Sequence, residues 1–585
     1  MREKLKRLSF FFKYFKRYSR RWASGILVTA ISTGFAVLTP LIIKRAVDHL
    51  ENGEPLNAIL LDSLLIIGVT IVSGFFRFLM RQTMIVASRK VEYDIRNDLF
   101  THLESLDRKF YENTPTGDIM SRSTNDLDAV RAMYGPGIMH SLSTFFMVTM
   151  AFVLMYRIDP VLSLYSMITL PFLSVTVIVL GRQVYKRYLK IQEHYGKISA
   201  FVQENLSGIR VVQSFVQESN QIGRFDDLNK EFIRKNMSMV KIWGMFFPIL
   251  SMIGGGLTVL ILLVGGKRVI NDEITLGTFV AFTAYLLMLI WPMIALGWVI
   301  GLYQRGLASM ARIRKIFERK PVIVSPGHAD KDIKIKGDIE VRNLSFSYGE
   351  DSEEILHDIS FKVKAGQTIA IVGATGSGKT TLVSLLSRLY PVPDNKIFID
   401  GTDINTYDLN TLRSNIGFIP QDNFLFSDSL KGNIIFGSDT ELSDLEVTTS
   451  ASNADLTKDV DTFPHKMETI IGEKGITLSG GQKQRTSIAR AIINNPPILI
   501  FDDAFSSVDT STEEKILSNL RDILKSSTVF LISHRISTVK DADLILVIDD
   551  GKLAESGDHE SLLAEGGLYA NIHKRQLLME ELEAI

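Results

Sequence analysis

The sequence predicts two domains, a membrane domain of six helices followed by a cytoplasmic α/β domain. Six apolar runs of about 20 residues occupy much of the first half, and each is long enough to cross a hydrocarbon core as a helix. From Gly337 onward, short β-type runs alternate with helical patterns. Within that second half, a glycine-rich loop precedes a strand that ends in two aspartates.

Length and composition support a division of this kind. A chain of 585 residues is too long for one hydrophobic core. Its 65 basic and 65 acidic residues give a formal net charge of zero, so charge gives no case for nucleic acid as a partner. Cysteine is absent, which excludes disulfides, thiolate metal sites and cysteine nucleophiles. The mean hydropathy is +0.15 although 22% of the residues are charged, so the apolar residues must be segregated.

The six apolar runs are predicted to be transmembrane helices. They lie at Trp22–Ile43, Ile59–Met80, Gly137–Tyr156, Val161–Leu180, Trp243–Gly265 and Thr278–Ile300. The alternative, a soluble protein with buried helices, is disfavoured because six such runs are too many for one half of the chain.

Charge bias predicts the orientation of these helices. Met1–Arg21 has nine Lys or Arg residues and one acid, and it lacks the cleavage site of a secretory signal. We therefore expect a multi-pass protein of the cell inner (plasma) membrane with both termini in the cytoplasm. The inner connections Arg81–Pro136 and Gly181–Ile242 are too long to be loops, so we expect the helices to continue into the cytoplasm.

Arg77 and Arg81 lie one helical turn apart at the inner end of the second span. One interpretation is that both side chains reach the polar interface. The other is that they contact a polar or anionic substrate.

The second half is predicted to be an α/β domain. We assign residues 1–315 to the membrane domain, 316–336 to a linker and 337–585 to the α/β domain. The predicted strands are Ile339–Val341, Ile369–Val372, Ile416–Ile419, Ile498–Phe501, Thr528–Ile532 and Leu544–Ile548.

A phosphate-binding loop joins the strand Ile369–Val372 to a helical run that begins at Thr381. The loop residues are Gly373, Ala374, Thr375, Gly376, Ser377, Gly378, Lys379 and Thr380. Thr381, the first residue of the helical run, also belongs to the predicted nucleotide site. Backbone N–H groups of such a loop wrap phosphate. We expect Lys379 to reach the β- and γ-phosphates of ATP, and Thr380 to coordinate Mg²⁺ together with Asp502.

The order of this loop, Gln421, Leu478–Gln482 (LSGGQ), Asp502-Asp503 and His534 resembles the nucleotide-binding domain of ATP-binding cassette (ABC) proteins. LSGGQ is highly specific, because ordinary P-loop NTPases lack it. A membrane domain followed by this domain resembles an ABC exporter half-transporter of the multidrug and lipid-flippase type. The resemblance covers nearly the whole chain, and it implies the type IV exporter fold.

The resemblance implies roles for further residues. Tyr348 would stack on adenine, although an ordinary strand tyrosine is the alternative. Gln421 would sense Mg²⁺ and the attacking water, and His534 would contact the γ-phosphate unless it is a surface histidine. The residues expected to bind the ATP held by the other protomer are Ser479, Gly480, Gly481 and Gln482. Two such domains would close around two ATP molecules.

Three segments resemble the family's coupling elements. Phe110–Asp118 is similar to the first cytoplasmic coupling segment, and Ser207–Phe215 is similar to the second. Glu473 resembles part of the exporter-specific loop that touches those segments.

Asp503 departs from the family pattern, which has glutamate at this position. The carboxylate is the same but one methylene shorter, and a misplacement of about 1 Å can cost on the order of 10²-fold in rate. The resemblance therefore implies a slow site, as in the degenerate half of bacterial heterodimeric multidrug exporters. A heterodimer with a second half-transporter is favoured over a homodimer with two slow sites.

The function implied is ATP-driven export of amphipathic small molecules, drugs or lipids, with ATP and Mg²⁺ as cofactors and the lipid bilayer as surroundings. Asp503, His534 and Gln421 are the expected catalytic residues. An ATP-gated regulator or channel, suggested by the weak base, and an importer with the exporter fold are the alternatives. The sequence does not identify the transported compound.

Overall fold

In the computed structural model the described residues are 12–326, 333–349, 352–438, 440–472, 475 and 478–583, without the side chains of 167–170, 173, 257, 537 and 579–583. The chain divides into two compact units. The first contains the residues up to Ser105 together with Thr114–Arg319. The second contains Leu106–Asn113 together with the residues from Lys320 onward. The domain limits at residues 315 and 337 stay predictions.

The first unit is helical. Its helices of 20 residues or more are Ser19–Glu51, Leu56–Glu104, Ile138–Ile158, Pro160–Ser207, Glu218–Ile270 and Leu276–Phe317. Short helices lie at Thr116–Ser121, Leu127–Ala132 and Ile209–Ser214, with π-helical turns at Arg122–Asp126 and Met133–Gly137. The connections predicted to be helical are therefore confirmed as helical, because the long helices continue well beyond the apolar runs.

Five helical segments in the described residues are long and apolar enough to cross a membrane. They are Ser19–Glu51, Leu56–Glu104, Thr116–Ile158, Glu218–Ile270 and Leu276–Phe317. The crossing predicted at Val161–Leu180 lies in the 48-residue helix Pro160–Ser207. Because some side chains in that crossing lie outside the described part, it stays a prediction.

Asp159 shows how local chemistry sets one of these helix boundaries. Its carboxylate accepts a hydrogen bond from the Leu162 backbone N–H at 2.8 Å, which caps the helix Pro160–Ser207. Proline follows at the first helical position, where its missing N–H costs nothing. The same carboxylate accepts from the Arg268 guanidinium at 2.6 Å, which ties this helix to the neighbouring helix Glu218–Ile270.

The second unit contains two sheets. Its strands are β1 Ile339–Phe346, β2 Leu356–Val363, β3 Thr368–Val372, β4 Ile397–Ile399, β5 Thr402–Asp403, β6 Ile416–Ile419, β7 Ile498–Asp502, β8 Thr528–Ile532, β9 Leu544–Asp549 and β10 Lys552–Gly557. The larger sheet has the order β10-β9-β3-β8-β7-β6, parallel except for the edge strand β10. The smaller sheet has the antiparallel order β2-β1-β4-β5. All six predicted strands are confirmed.

Helices surround these strands. They are Lys379–Leu386, Leu409–Ser414, Leu430–Ile435, Asp444–Asn453, Thr457–Thr462, Gly480–Ile492, Thr510–Ser526, Ile536–Val539, His559–Glu565 and Leu568–Glu583, with Arg108–Glu112 from the earlier part of the chain. Three adjacent parallel strands, β3, β8 and β7, end at the same edge of the sheet. The segments that follow them, which carry the predicted site, therefore start side by side.

The central strands are buried on both faces. In β7, Ile498 and Ile500 belong to one hydrophobic core, whereas Leu499 and Phe501 belong to the core on the other face. This alternation is the two-residue period of an extended chain. All five residues of β7 are buried, so its position is fixed by packing from both sides.

Replacement of Phe501 by alanine tests this account of the core. The ring is fully buried and stacks on Phe505 with 5.7 Å between ring centroids. We expect Phe501→Ala to destabilise the second unit by about 3–5 kcal/mol because it removes packing and leaves a cavity. Its unfolding transition is measured by calorimetry on the full chain. The control Leu445→Ala, at a residue that is 75% exposed, should change stability by less than about 0.5 kcal/mol. Equal effects of the two substitutions would contradict the account.

Candidate functional site

The loop Gly373–Thr380 connects β3 to the helix Lys379–Leu386. Gly376 and Gly378 have φ angles of +85° and +100°, a region that favours glycine. The Lys379 ammonium donates hydrogen bonds to the carbonyl oxygens of Gly373 at 3.0 Å and Ala374 at 2.7 Å. Burial lowers the pKa of Lys379, and Asp502 and Asp503 oppose that shift. The loop thus curls around a cationic side chain at the start of a helix.

Thr380 and Asp502 bring the loop and the strand β7 into contact. The Thr380 hydroxyl donates a hydrogen bond of 2.9 Å to the Asp502 carboxylate. That carboxylate is buried, and burial raises its pKa, with the neighbouring Asp503 adding to the shift and the Thr380 hydrogen bond opposing it. Two oxygen groups of the kind that Mg²⁺ prefers are therefore adjacent.

Asp503 lies directly after β7 in a backbone conformation that side chains rarely adopt, with φ of +50°. Its N–H donates to the carbonyl of Ile532, the last residue of β8, at 3.1 Å. Burial raises the pKa of the Asp503 carboxyl, and the neighbouring basic side chains of His534, Lys379 and Arg535 act in the opposite direction. The Asp503 carboxyl therefore lies near basic groups at the same sheet edge.

Tyr348 lies just after β1 and contacts the helix that follows the loop. Its hydroxyl and that of Thr381 are 2.8 Å apart. Its ring meets the ring of Tyr390 edge-on, with centroids 4.9 Å apart. Tyr348 is 38% exposed, so part of the residue is open to solvent.

Tyr390 also contacts the segment Leu106–Asn113, which belongs to this unit. Its hydroxyl donates to the Glu112 carboxylate at 2.6 Å, and the Arg108 guanidinium lies 5.4 Å from its ring centroid. Burial and the Glu112 hydrogen bond raise the pKa of Tyr390. A continuous set of contacts therefore leads from Glu112 through Tyr390 to Tyr348.

Ser479 caps the helix Gly480–Ile492. Its hydroxyl accepts from the Gln482 N–H at 3.3 Å, and the Gln482 side chain accepts from the Ser479 N–H at 2.9 Å. These reciprocal hydrogen bonds form a capping box. The Gln482 amide also donates to Asp459 at 2.8 Å. LSGGQ therefore begins a helix, and the first N–H groups of that helix lie at Gly480 and Gly481.

The loop Ser506–Val508, which follows the two aspartates, is held by Gln484, a residue that no sequence motif marks. Gln484 is buried, donates to the Ser506 hydroxyl at 2.9 Å and accepts from the Ser507 N–H at 2.9 Å. Arg535, next to His534, donates to the Val508 carbonyl at 3.0 Å. Side chains from two other segments therefore fix the position of this loop.

The structure brings Lys379, Thr380, Asp502 and Asp503 together, with His534 exposed nearby. In the part of the chain that the structure describes, no hydrogen bond joins the LSGGQ residues to the phosphate-binding loop. Gln421 is exposed, and its backbone carbonyl accepts a 3.5 Å hydrogen bond from Asn423. The Glu473 prediction lies outside the described residues.

Comparison with known proteins identifies the family. The family pattern described as "ABC transporter transmembrane region" matches residues 22–293, and the pattern described as "ABC transporter" matches residues 356–506. The chain is 38% identical over 98% of both proteins to a "probable multidrug resistance ABC transporter ATP-binding/permease protein YheI" of Bacillus subtilis (strain 168). The chain belongs to the ABC transporter family.

Other relatives make the assignment more specific. The chain is 33% identical to an "ATP-dependent lipid A-core flippase" of Syntrophus aciditrophicus (strain SB), over 96% of this chain and 93% of that protein. It also resembles the structure of "a bacterial Atm1-family ABC exporter with ATP bound", with a TM-score of 0.79 and 28% sequence identity. The match covers 95% of this chain and 98% of that chain. The chain is therefore an ABC exporter with fused transmembrane and nucleotide-binding domains. It binds ATP, couples ATP hydrolysis to export, crosses the membrane several times and dimerises as a half-transporter.

Gln484→Ala in this exporter tests how the loop Ser506–Val508 is held. Loss of both side-chain hydrogen bonds leaves the Ser507 N–H without its partner, so we expect faster amide exchange in the peptide that contains residues 503–509. We also expect a loss of about 1–3 kcal/mol in stability. Hydrogen exchange with mass spectrometry gives the measurement, and the exposed Arg521→Ala on a nearby helix is the control. Unchanged exchange in Gln484→Ala would show that other contacts hold the loop.

Proposed function

We propose that this ABC exporter moves amphipathic small molecules, drugs or lipids out across the cytoplasmic membrane by alternating access. ATP binding closes two nucleotide-binding domains, and hydrolysis resets them. The observation that supports this proposal best is the contact of Thr380 with Asp502 beside the Lys379 loop. This contact places the phosphate-binding loop, the Lys379 ammonium and two oxygen groups suited to a metal side by side at one edge of the sheet.

In this proposal the nucleotide lies along the residues of the loop. Lys379 contacts the β- and γ-phosphates, while backbone N–H groups of the loop and of the first helical turn at Thr381 bind phosphate oxygens. The exposed face of Tyr348 stacks on adenine. The full set of loop residues is Gly373, Ala374, Thr375, Gly376, Ser377, Gly378, Lys379, Thr380 and Thr381.

The residues present fit Mg²⁺. The Thr380 hydroxyl and the Asp502 carboxylate are hard oxygen donors, and Gln421 supplies a third in the closed state. No group of three His, Asp or Glu residues suited to a metal lies in the described chain. That finding agrees with Mg²⁺, which is usually bound by one or two protein groups and by substrate phosphates. When bound, Mg²⁺ neutralises charge that develops on the phosphates.

Asp503 is proposed to accept a proton from the water that attacks the γ-phosphorus. The new bond joins the water oxygen to phosphorus, and the bond from phosphorus to the oxygen that bridges it to the β-phosphate breaks, which releases ADP. His534 contacts the γ-phosphate and orients it. The short side chain of Asp503 holds its oxygens farther from the water than glutamate would, so this site is slow.

We propose that ATP is held between two protomers. Ser479, Gly480, Gly481 and Gln482 of one protomer contact the γ-phosphate bound by the loop of the other. The absence of a hydrogen bond between LSGGQ and the loop within the described chain supports this arrangement. A partner half-transporter with glutamate after the metal aspartate would provide the fast site, so a heterodimer is favoured over a homodimer.

The contacts of Tyr390 support a route from nucleotide to transport. Adenine on Tyr348 would restrict the ring that meets Tyr390 edge-on, and Tyr390 holds Glu112 of the first coupling segment. Closure of the nucleotide-binding domains would move that segment as a rigid body. The proposed topology, with both termini in the cytoplasm of an inner-membrane or plasma-membrane protein, places the segment on the same side as ATP.

An ATP-gated regulator or channel is the second candidate, and the weak base at Asp503 favours it. Such a protein needs ATP binding and closure but little hydrolysis. Hydrolysis that rises when a transported amphipath is added argues for the exporter, and ATP-dependent ion conductance argues for the regulator.

ATP turnover by the purified chain in lipid tests the proposed site. We expect slow turnover in the wild type, a rise of about 10- to 100-fold in Asp503→Glu, and loss of turnover in Lys379→Ala. Asp522→Glu makes the same chemical change at an exposed position and should leave turnover within about twofold of the wild type. Equal turnover in the wild type and Asp503→Glu would contradict the slow site and favour a homodimer with competent bases.

A further inference from the structure

The membrane domain contains a cavity of about 760 Å³, a size typical of sites for drug-sized ligands. It lies among the helices Pro160–Ser207, Glu218–Ile270 and Leu276–Phe317 and the segment around Asp126. Apolar side chains cover much of its wall: Val177, Ile178, Phe246, Ile294, Trp298 and Ile300. These residues suit the apolar body of an amphipathic molecule.

Basic groups also line this cavity. Three arginines, Arg182, Arg305 and Arg312, line the cavity, and Asp126 is the one acidic residue among its described lining residues. Asp126 is already neutralised, because the Arg312 guanidinium donates to it at 2.8 Å and the Ser309 hydroxyl donates at 2.9 Å. In the described chain, Arg182 and Arg305 have no acidic partner at ion-pair distance.

A second pocket, of about 250 Å³, is also lined by basic residues. Arg77, Arg81 and His140 line it together with hydroxyl groups, and no acidic residue lines it in the described part of the chain. His140 of this pocket packs edge-on against Trp298 of the larger cavity, with 5.2 Å between ring centroids. Arg182 and Arg305 are exposed and lie just beyond the predicted spans Val161–Leu180 and Thr278–Ile300, so their guanidinium groups line the cavity at the inner end of these spans.

We propose that this cavity selects amphipathic anions, with the apolar body against the Trp298 wall and a sulfonate, phosphate or carboxylate head on Arg182 and Arg305. Guanidinium groups suit such heads because they donate paired hydrogen bonds to two oxygens. The same two charges repel amphipathic cations. This inference rests on the proposed export of amphipathic compounds and specifies the charge of the compound.

A matched pair of fluorescent probes tests the charge preference. 1-Anilinonaphthalene-8-sulfonate and N-phenyl-1-naphthylamine share one aromatic skeleton and differ in the sulfonate. Binding of each probe is titrated with the full chain in lipid nanodiscs, and the signal of empty nanodiscs is subtracted. The variants are Arg182→Gln/Arg305→Gln, the charge-retaining Arg182→Lys/Arg305→Lys, and the control Lys186→Gln, an exposed basic residue one turn along from Arg182 that does not line the cavity.

We expect the double glutamine variant to bind the sulfonate probe at least about tenfold more weakly, because charge-assisted hydrogen bonds are lost. Its affinity for the neutral probe should stay within about twofold, which shows that the cavity is intact. The lysine variant should retain much of the affinity for the sulfonate probe, and Lys186→Gln should change neither. Equal weakening of both probes, or unchanged binding of the sulfonate probe, overturns the inference.

A separate readout distinguishes this inference from the proposed export. ATP turnover of the wild type is measured in three separate assays, with the sulfonate probe, with the neutral probe and with a cationic amphipath, dodecyltrimethylammonium. Stimulation by the cation equal to that by the sulfonate probe overturns the anion preference while export of amphipaths stands. Selective binding of the sulfonate without stimulation by any of the three argues against export, and the cavity then selects anions as a ligand site.

Discussion

The hydrogen bond between Thr380 and Asp502 is the contact on which the proposed nucleotide site depends. It joins the loop after β3 to the end of β7, two strands separated by β8 in the sheet. A buried carboxylate is costly unless it is hydrogen-bonded or binds a cation. Asp502 is buried at the end of the fully buried strand β7, so the sheet register sets its position and keeps its oxygens beside the phosphate-binding loop.

Much of this site could be predicted because its residues follow strands that packing makes easy to recognise. The runs at Ile369–Val372 and Ile498–Phe501 are apolar throughout, as expected for parallel strands covered on both faces. Strands β2, β4, β5 and β10 were missed. β5 has two residues, β4 has three, and β10 alternates at an exposed sheet edge. Such short or half-exposed strands lack a strong local pattern.

Contacts between segments that are distant in sequence could not be predicted. Tyr390 and Glu112 are separated by 278 positions, and no periodicity connects them. Gln484 lies one residue beyond Lys483 in an ordinary helical pattern, and only the fold places its amide against Ser506 and Ser507. The substitution at Asp503 was visible in the sequence, but its positive φ and its contact with Ile532 required the three-dimensional arrangement of β7 and β8.

The two units use charge in opposite ways. At the sheet edge, Lys379 lies close to two aspartates: its charge acts to lower the pKa of Asp502 and Asp503, and their charges act to raise the pKa of Lys379. In the membrane domain, Asp126 is neutralised by Arg312, which leaves the other guanidinium groups of the cavity to determine its charge. The first arrangement suits a metal-bound triphosphate, and the second suits an amphipathic anion. In both units, the local charge depends on which acidic residues are paired with a basic group.

Manganese binding tests the central claim most directly, because Mn²⁺ replaces Mg²⁺ and is visible by electron paramagnetic resonance. Titrations with ATP at low temperature, where turnover is negligible, would compare the wild type with Asp502→Asn and Thr380→Val. If the adjacent oxygens of Thr380 and Asp502 hold the cation, both variants should bind Mn²⁺ with ATP at least about tenfold more weakly, while metal-free ATP binding stays within about twofold. Unchanged Mn²⁺ affinity in Asp502→Asn would show that the cation lies elsewhere and would contradict the account.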